Sequence, residues 1–129
     1  MSVSRINQRL RRLIESDICQ AEDFEGYREE LRSLAREVAS IKASRDQGRF
    51  FKALSDEKRI RILKLLQVRD MCVCEMTIAL DLTQPNLSHH IKILEKEEIV
   101  THKKKGKWAF YTLENREIMD YINEMNADE

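Results

Sequence analysis

Apolar residues recur at helical spacing along the first third of the chain, which predicts amphipathic helices there. One set repeats in steps of three and four for fewer than three heptads. The first set is Ile6, Leu10, Leu13 and Ile14, and the heptad-like set is Phe24, Tyr27, Leu31, Leu34, Val38 and Ile41. We predict an N-terminal helical arm over residues 1–46 that packs either on its own domain or against a second subunit. Asp46-Gln47-Gly48 is expected to form a hinge after this arm.

Two helices are predicted next. Asp56 is a candidate N-cap for a helix whose broad apolar face extends from Ile60 to Leu66. A segment over residues 71–74 then leads into a short helix over residues 75–80. Asp81-Leu82 is expected to form a tight turn after it.

A longer helix with a polar start follows this turn. Thr83 is a good N-cap, and the pattern continues to about Lys96. Pro85 fits the first turn because the N–H that proline lacks is not needed there. The buried stripe is expected to consist of Leu87, Ile91 and Leu94.

The apolar period then changes from 3.6 to 2. Residues 99–104 and 107–113 are predicted strands joined by Lys105-Gly106, because glycine supplies the positive φ that a tight hairpin needs. A final helix is expected from Ile118, Tyr121, Ile122 and Met125. A short helix, a tight turn, a longer helix and a hairpin have the order of a winged helix-turn-helix. We predict a mainly α fold with a β-hairpin wing, in which residues 47–129 form a DNA-binding domain behind an N-terminal helical extension.

Composition narrows the class of protein. The chain has 129 residues, 42% apolar and 36% charged, with no apolar run near the roughly 20 residues that a membrane span needs. Three cysteines, an odd number, indicate free thiols or metal ligands in a reducing, cytoplasmic compartment. The net charge of zero hides an asymmetry, since residues 83–113 hold six basic and three acidic side chains and residues 114–129 hold one and six. A basic middle allows an anionic partner for one surface.

Two clusters have the chemistry of a DNA-binding surface. Short polar side chains reach base edges and phosphates in a major groove, and clustered cations lie along phosphates. The polar residues at the start of the longer helix are Thr83, Gln84, Asn86, Ser88 and His89. The hairpin cations are Lys103, Lys104, Lys105 and Lys107. Together they predict binding to double-stranded DNA through the helix and the wing.

Three motifs stand in a characteristic order over about residues 47–122: LSDEKRIRIL at 54–63, SHHIKIL at 88–94 and GKWAFYTL at 106–113. They resemble the signatures of the arsenic-repressor (ArsR/SmtB) family of winged helix-turn-helix regulators. The resemblance implies a homodimer that binds an operator and leaves it when an effector binds. Two positions depart from the family pattern, since Glu57 replaces a common proline and Glu98 a frequent glycine.

The resemblance also implies roles for single residues. Thr83 would hold a phosphate, and His90 would help to seat the recognition helix. The residues that would touch bases are Gln84, Asn86, Ser88 and His89.

A cysteine pair, Cys72 and Cys74, stands where the first helix of the motif begins and resembles the thiol box of the family's metal-sensing members. Thiolates bind soft ions, and a helix N-terminus favours them. Inside a regular helix, residues two apart point about 200° away from each other. Both sulfurs can therefore face one ion only if the helix start is distorted.

Two cysteines are too few for a tight soft-metal site, and Thr77 stands where the family box has a third thiol. By analogy with a branch of the family, Cys19 of the arm would join them. Three sulfurs suit trivalent arsenic or antimony, or lead, whereas zinc and cadmium prefer a fourth ligand. No metal is expected to be needed for folding. The alternatives are a buried, merely apolar Cys19, a redox signal at the thiols, or a regulator without an effector.

The sequence predicts a DNA-binding transcriptional repressor that binds its operator as a homodimer. A thiol-binding effector would release it, and a metal or metalloid such as trivalent arsenic is favoured over a redox signal. A protein-interaction module that uses the heptad arm is the alternative from another class. An enzyme is not expected, because the sequence has no paired acid and base, no Gly-rich phosphate loop and no His pair at metal-hydrolase spacing.

Overall fold

The computed structural model describes residues 24–125 and four residues near the start of the chain, Arg5, Asn7, Gln8 and Arg11. The apolar residues of the first predicted helix, and Cys19, lie outside the described residues. The chain divides into two compact units, Met1–Gln47 and Gly48–Glu129. No helix within the described part is long and apolar enough to cross a membrane.

Two helices cover the region of the heptad-like stripe, α1 (Phe24–Val38) and α2 (Ile41–Leu54). The stripe was expected to form one helix, and this is wrong, because the backbone leaves the helix at Ala39 and Ser40. The Ser40 hydroxyl accepts a hydrogen bond from the Ala43 N–H at 3.2 Å, which caps the start of α2. Val38 is exposed beside the break.

The predicted hinge at residues 46–48 coincides with the division between the two units, but it is not a break in the backbone, since all three residues lie inside α2. Glycine lowers helix stability by only about 1 kcal/mol relative to alanine, so Gly48 alone does not end a helix.

The second unit has the predicted order of elements, with one additional strand. The helices and strands of this unit after α2 are α3 (Glu57–Val68), β1 (Met71–Cys72), α4 (Val73–Leu80), α5 (Gln84–Lys96), β2 (Val100–Lys105), β3 (Trp108–Leu113) and α6 (Glu117–Glu124). This is a mainly helical fold with a small antiparallel sheet, as the sequence predicted.

The predicted N-caps are confirmed. The Asp56 carboxylate accepts hydrogen bonds from the N–H groups of Lys58 at 2.8 Å and Arg59 at 3.2 Å. Partial burial pushes the pKa of Asp56 up, but these two N–H donors more than offset it and hold the pKa below its ordinary value. The Thr83 hydroxyl accepts from the Asn86 N–H at 3.3 Å, and a proline lies in the first turn of α5. These contacts fix where α3 and the longer helix begin.

The three strands pair in the order β1-β3-β2. β2 and β3 form the hairpin, with register pairs from Val100–Leu113 to Lys105–Trp108. Gly106 has φ +64° in the turn, which lies one residue later than predicted. β1 was not predicted, and it pairs Cys72 with Phe110 of β3.

One hydrophobic core joins α3, α4, α5, the hairpin and α6. Side chains of this kind contribute about 1.5–3 kcal/mol each when fully buried. Residues with at most 1% exposure are Ile62, Leu63, Leu66, Met76, Leu87, Ile91, Leu94, Ile99, Val100 and Met119. The core therefore fixes which face of α5 points inward, and the predicted stripe of this helix is confirmed.

Candidate nucleic-acid interface and thiol pair

The outward face of α5 is polar and basic. Gln84 and His89 are exposed, as is the capping residue Thr83. The same face continues with two cations that the sequence analysis missed, Lys92 and Lys96. Their spacing of three and seven residues from His89 is the signal that could have identified them.

The remaining polar residues at the helix start point less clearly outward. Ser88 and Asn86 are half-buried. The Asn86 Oδ1 is buried and has no hydrogen-bond partner in the part of the chain that the structure describes. Gln84 and His89 are therefore better placed than Asn86 to reach a base edge.

His90 is buried, with 7% exposure, and lies on the inner side of α5. The expected role of His90 was to help seat this helix and not to touch bases, and its buried side chain lies where such a role requires it. The Arg59 Nη1 contacts its Nδ1 at 3.0 Å. Since a guanidinium only donates hydrogen bonds, His90 accepts at Nδ1 and carries its proton on Nε2.

Arg59 also binds the last turn of α2. Its Nε donates to the Ala53 carbonyl at 2.6 Å and its Nη2 to the Lys52 carbonyl at 3.4 Å. One side chain thus joins α2, α3 and α5. Burial lowers the pKa of His90, with Asp56 opposing the shift and Arg59 adding to it, so the neutral form that Arg59 requires is favoured.

The wing presents its lysines to solvent, and aromatic rings support two of them. Lys105 Nζ lies 5.6 Å from the centroid of the Phe110 ring, and Lys107 Nζ lies 5.5 Å from that of Trp108. Such contacts stabilise a cation by about 0.5–1 kcal/mol at exposed sites. All four predicted cations, Lys103, Lys104, Lys105 and Lys107, are exposed.

A side-chain contact joins the wing to α5. His102 Nδ1 on β2 contacts the Glu95 carboxylate on α5. The His102 ring also lies 5.3 Å from the ring of Tyr111 on β3. The hairpin is therefore fixed against the helix that carries the polar face.

The cysteines lie at the junction of β1 and α4. The helix was predicted to start at residue 75 but begins at Val73, so Cys74 is helical and Cys72 is the N-cap. Cys72 has φ −84° and ψ 168°, an extended conformation outside the helix. The expected divergence of about 200° between the two side chains therefore does not apply. Cys72 is buried and Cys74 is exposed.

Glu75 fixes the backbone at this helix start. Its Oε1 accepts a hydrogen bond from the Cys72 N–H at 3.0 Å, and its Oε2 pairs with Arg69 at 2.7 Å. The Cys72 N–H and then Arg69 hold the pKa of Glu75 below its ordinary value.

Both cysteines line one small cavity of about 230 Å³. It lies where the thiol segment, the first residue of α5 and the start of β3 meet. Its walls are Cys72, Val73, Cys74, Gln84, Lys107, Trp108 and Ala109. The structure thus brings the predicted thiols together with a predicted base-reading residue and with the wing.

The donor set at this cavity fits a soft ion in part. Two thiols supply two of the three sulfurs that trivalent arsenic takes. The Thr77 hydroxyl donates a hydrogen bond to the Cys74 carbonyl oxygen at 2.7 Å, so this hydroxyl is already bonded to the backbone of α4. No group of three His, Cys, Asp or Glu residues placed to hold a metal ion occurs among the residues described. Zinc and cadmium, which prefer four ligands, fit these two sulfurs less well.

An apolar groove of about 630 Å³ lies between the end of α2, the start of α3 and α6. Three of its large side chains are strongly exposed, Phe51 at 61%, Tyr121 at 67% and Met125 at 68%. Its walls are Phe51, Leu54, Ile60, Lys64, Ile118, Tyr121, Ile122, Asn123 and Met125. The apolar pattern of the sequence does not reveal this surface, because its residues come from separate segments of the chain.

The chain is similar in sequence to known bacterial regulatory proteins. The model of the bacterial regulatory protein arsR family matches residues 56–102. The arsenical resistance operon repressor of Bacillus subtilis is 40% identical over 75 residues, which are 57% of this chain and 71% of that protein.

Two solved structures have a fold similar to that of this chain. A homodimeric winged helix-turn-helix DNA-binding domain from Mycobacterium bovis superposes with a TM-score of 0.63 at 20% identity, over 71% of this chain and 87% of that one. The cadmium metal sensor CMTR from Mycobacterium tuberculosis has a TM-score of 0.52 at 27% identity, over 60% of this chain and 81% of that one.

Proposed function

Because the chain belongs to the ArsR family of bacterial regulatory proteins, and is therefore a DNA-binding transcriptional regulator and not an enzyme, we propose that it represses transcription as a homodimer that a thiol-binding effector releases. The observation that carries the proposal is the polar, basic face of α5, whose first residue Gln84 lines one cavity with Lys107 of the lysine-tipped wing. In this account, residues 47–129 form the DNA-binding domain and residues 1–46 the helical arm.

The helix and the wing divide the work of DNA binding. Gln84 and His89, with Ser88 and Asn86 behind them, enter the major groove and read bases. Thr83 and the wing lysines contact phosphates, which fix the register on the duplex without reading sequence. His90 acts from inside the domain, because it holds α5 against Arg59.

The apolar groove supports the homodimer. A monomer would leave Phe51, Tyr121 and Met125 in water, and contiguous exposed apolar surface of this kind marks an interaction site. In a two-fold dimer each subunit presents the same surface to the other, and the two copies of α5 would bind two half-sites of a duplex.

The effector we propose is a soft metal or metalloid, with trivalent arsenic favoured, antimony and lead next, and cadmium or zinc less suited. Cys72 and Cys74 would each bind it through sulfur, and Cys19 would supply the third sulfur. Support comes from the shared cavity of the two thiols and from the arsenical resistance repressor that is similar to this chain. When bound, the ion supplies strong directional bonds to sulfur, which the effector-free protein lacks.

The DNA-binding part is tested by selection of duplexes from a random library, followed by gel shifts with the full chain. We expect a two-fold symmetric sequence and an affinity that falls with salt. Absence of binding to the selected and random duplexes alike at low salt would contradict the DNA-binding account and favour an interaction module.

The effector part is tested by titrating the protein–DNA complex with arsenite, antimonite, lead, cadmium, zinc and an oxidant. We expect arsenite to release DNA and Cys72→Ser and Cys74→Ser variants to resist release. Cys19→Ser decides whether the arm takes part. Release by oxidant alone would make the thiols a redox sensor, and unchanged release in Cys72→Ser and Cys74→Ser would remove them from the mechanism.

A further inference from the structure

The cavity at the thiol pair is bounded by more than its two sulfurs. Gln84, the first residue of the recognition helix, and Trp108, the first residue of β3, line the same 230 Å³ space as Cys72 and Cys74. Gln84 is also one of the two exposed candidates for reading a base. One side chain is therefore placed to serve both the cavity and the DNA.

The walls are directly connected. The backbone of Cys72 pairs with Phe110, two residues after Trp108 on β3. Cys72 is also the N-cap of α4, and only Asp81, Leu82 and Thr83 separate α4 from α5. A shift of the cysteines onto a shared ligand would reach the wing through the β1–β3 pairing and the recognition helix through α4.

The composition of the walls fits a compact thiol-bound group. Val73, Trp108 and Ala109 give an apolar side, and Gln84 and Lys107 give a polar side. The volume corresponds to several water molecules, each taking about 30 Å³ in the liquid. An occupant on the sulfurs would thus share this space with the tryptophan and Gln84.

We propose that Cys72, Cys74, Gln84 and Trp108 form a single effector site, in which a ligand held by the sulfurs contacts the recognition helix and the wing directly. Release of DNA is then a local displacement of Gln84 and the base of the wing. This inference rests on the proposed thiol effector and adds the residues through which it acts.

Trp108 provides a direct readout because it is the only tryptophan in the chain. Arsenite is added to the full-length reduced protein without DNA, and each sulfur–arsenic bond forms as one thiol proton and one arsenic-bound hydroxyl leave together as water. Binding is followed independently by sulfur–arsenic absorbance. We expect tryptophan emission to change with the same midpoint as the absorbance, and the change to disappear in Cys74→Ser. Arsenite binding that leaves the emission unmoved would overturn the inference.

The second arm measures coupling as a release factor, the ratio of the DNA Kd with arsenite to that without. We expect a factor of about 10 or more for the unaltered chain, within the usual range of allosteric coupling, and below about 3 for Trp108→Ala and Gln84→Ala. Arsenite absorbance in both variants checks that the ligand still binds. The factor is a ratio, so a variant with weaker DNA binding in both states remains informative.

Lys103→Ala is the matched control, because Lys103 is a wing cation that does not line the cavity. It should weaken DNA binding in both states and keep the full release factor. A full factor in Trp108→Ala and Gln84→Ala overturns the inference and leaves the thiol effector intact. A protein that binds DNA but no arsenite overturns both and leaves the DNA-binding account standing.

Discussion

The Arg59 guanidinium links α2 to α5 by three contacts. It reaches two carbonyls of α2, at Lys52 and Ala53, and the buried ring of His90 on α5. Because His90 must accept the hydrogen bond from Arg59, the contact exists only while the imidazole is neutral. The contact between Arg59 and α5 therefore depends on the protonation of one residue.

Arg59→Lys tests this contact. Lysine keeps the charge but cannot donate to three separate acceptors in the geometry of the guanidinium fork. We expect a loss of about 1–3 kcal/mol in the free energy of unfolding, because buried acceptors stay unpaired. Urea denaturation measures it, and Arg61→Lys on the exposed side of the same helix is the control. Equal stability of the two variants would contradict the role of Arg59.

The pH dependence of stability tests His90. The folded-state pKa is below the ordinary value of 6.5, so the unfolded chain binds more protons in the window just below that pH. The contribution of His90 is present in full above pH 6.5 and is lost as the pH falls from 6.5 through the folded-state pKa. His90→Asn, which keeps an acceptor near Nδ1, should lose less stability between pH 7.5 and 5.5 in urea denaturation. Parallel pH profiles of the two proteins would refute the assignment.

Single residues show where sequence patterns suffice and where they fail. Asp56 and Thr83 were predicted as N-caps, because capping is a local signal carried by one side chain and the N–H groups that follow it. The pairing of Arg59 with His90 spans 31 positions and depends on packing of two helices. Glu98 has φ +58°, a left-handed conformation that favours glycine. The sequence showed that Glu98 replaces a glycine frequent in the family, but it did not show this backbone conformation.

At the scale of elements, the proposed interface takes cations for phosphates from the wing and base contacts from the start of α5. The hairpin is held on two sides. His102 of β2 contacts Glu95 of α5, and β1 pairs with the free edge of β3. Its lysines are therefore held at a fixed place beside the polar face of α5.

Lys104→Ala tests the wing. We expect weaker binding to all duplex sequences alike, because a phosphate contact carries no sequence information. The slope of log affinity against log salt concentration should become shallower by about 0.9 for each lost contact, or about 1.8 for a dimer that loses one contact in each subunit. Arg116→Ala, which removes an exposed cation outside the wing, should keep the slope. An unchanged slope in Lys104→Ala would show that this lysine does not meet a phosphate.

Most elements could be predicted from periodicity, and the failures have local causes. β1 has two residues, too few for a period to show, and it exists because β3 offers it an edge. α4 begins two residues earlier than predicted, which places Cys72 at the N-cap and Cys74 in the first turn, and both residues line one cavity. The break between α1 and α2 rests on the Ser40 cap inside an uninterrupted apolar stripe.

The whole molecule adds a surface that no single element reveals. The groove combines residues of α2, α3 and α6, and Arg59 ties the same last turn of α2 to the recognition helix. Dimerisation through the groove would thus act on the helix that binds DNA.

Tyr121→Glu tests the homodimer. A carboxylate in a buried apolar interface lacks compensation for its lost hydration, so we expect a shift toward monomer in sedimentation equilibrium and weaker binding to a two-fold symmetric duplex. Ile78→Glu is the control, because Ile78 is 82% exposed on α4 and does not line the groove. A variant at Tyr121 that stays dimeric would exclude this surface as the interface.

The most direct test of the account is base discrimination by Gln84→Ala. Affinities of the unaltered chain and the variant are measured against the selected duplex and against duplexes changed at one base pair at a time. We predict that the variant loses discrimination at one position in each half-site, worth about 1–3 kcal/mol, and keeps it at the others. Unchanged discrimination at every position would show that the start of α5 does not read the DNA.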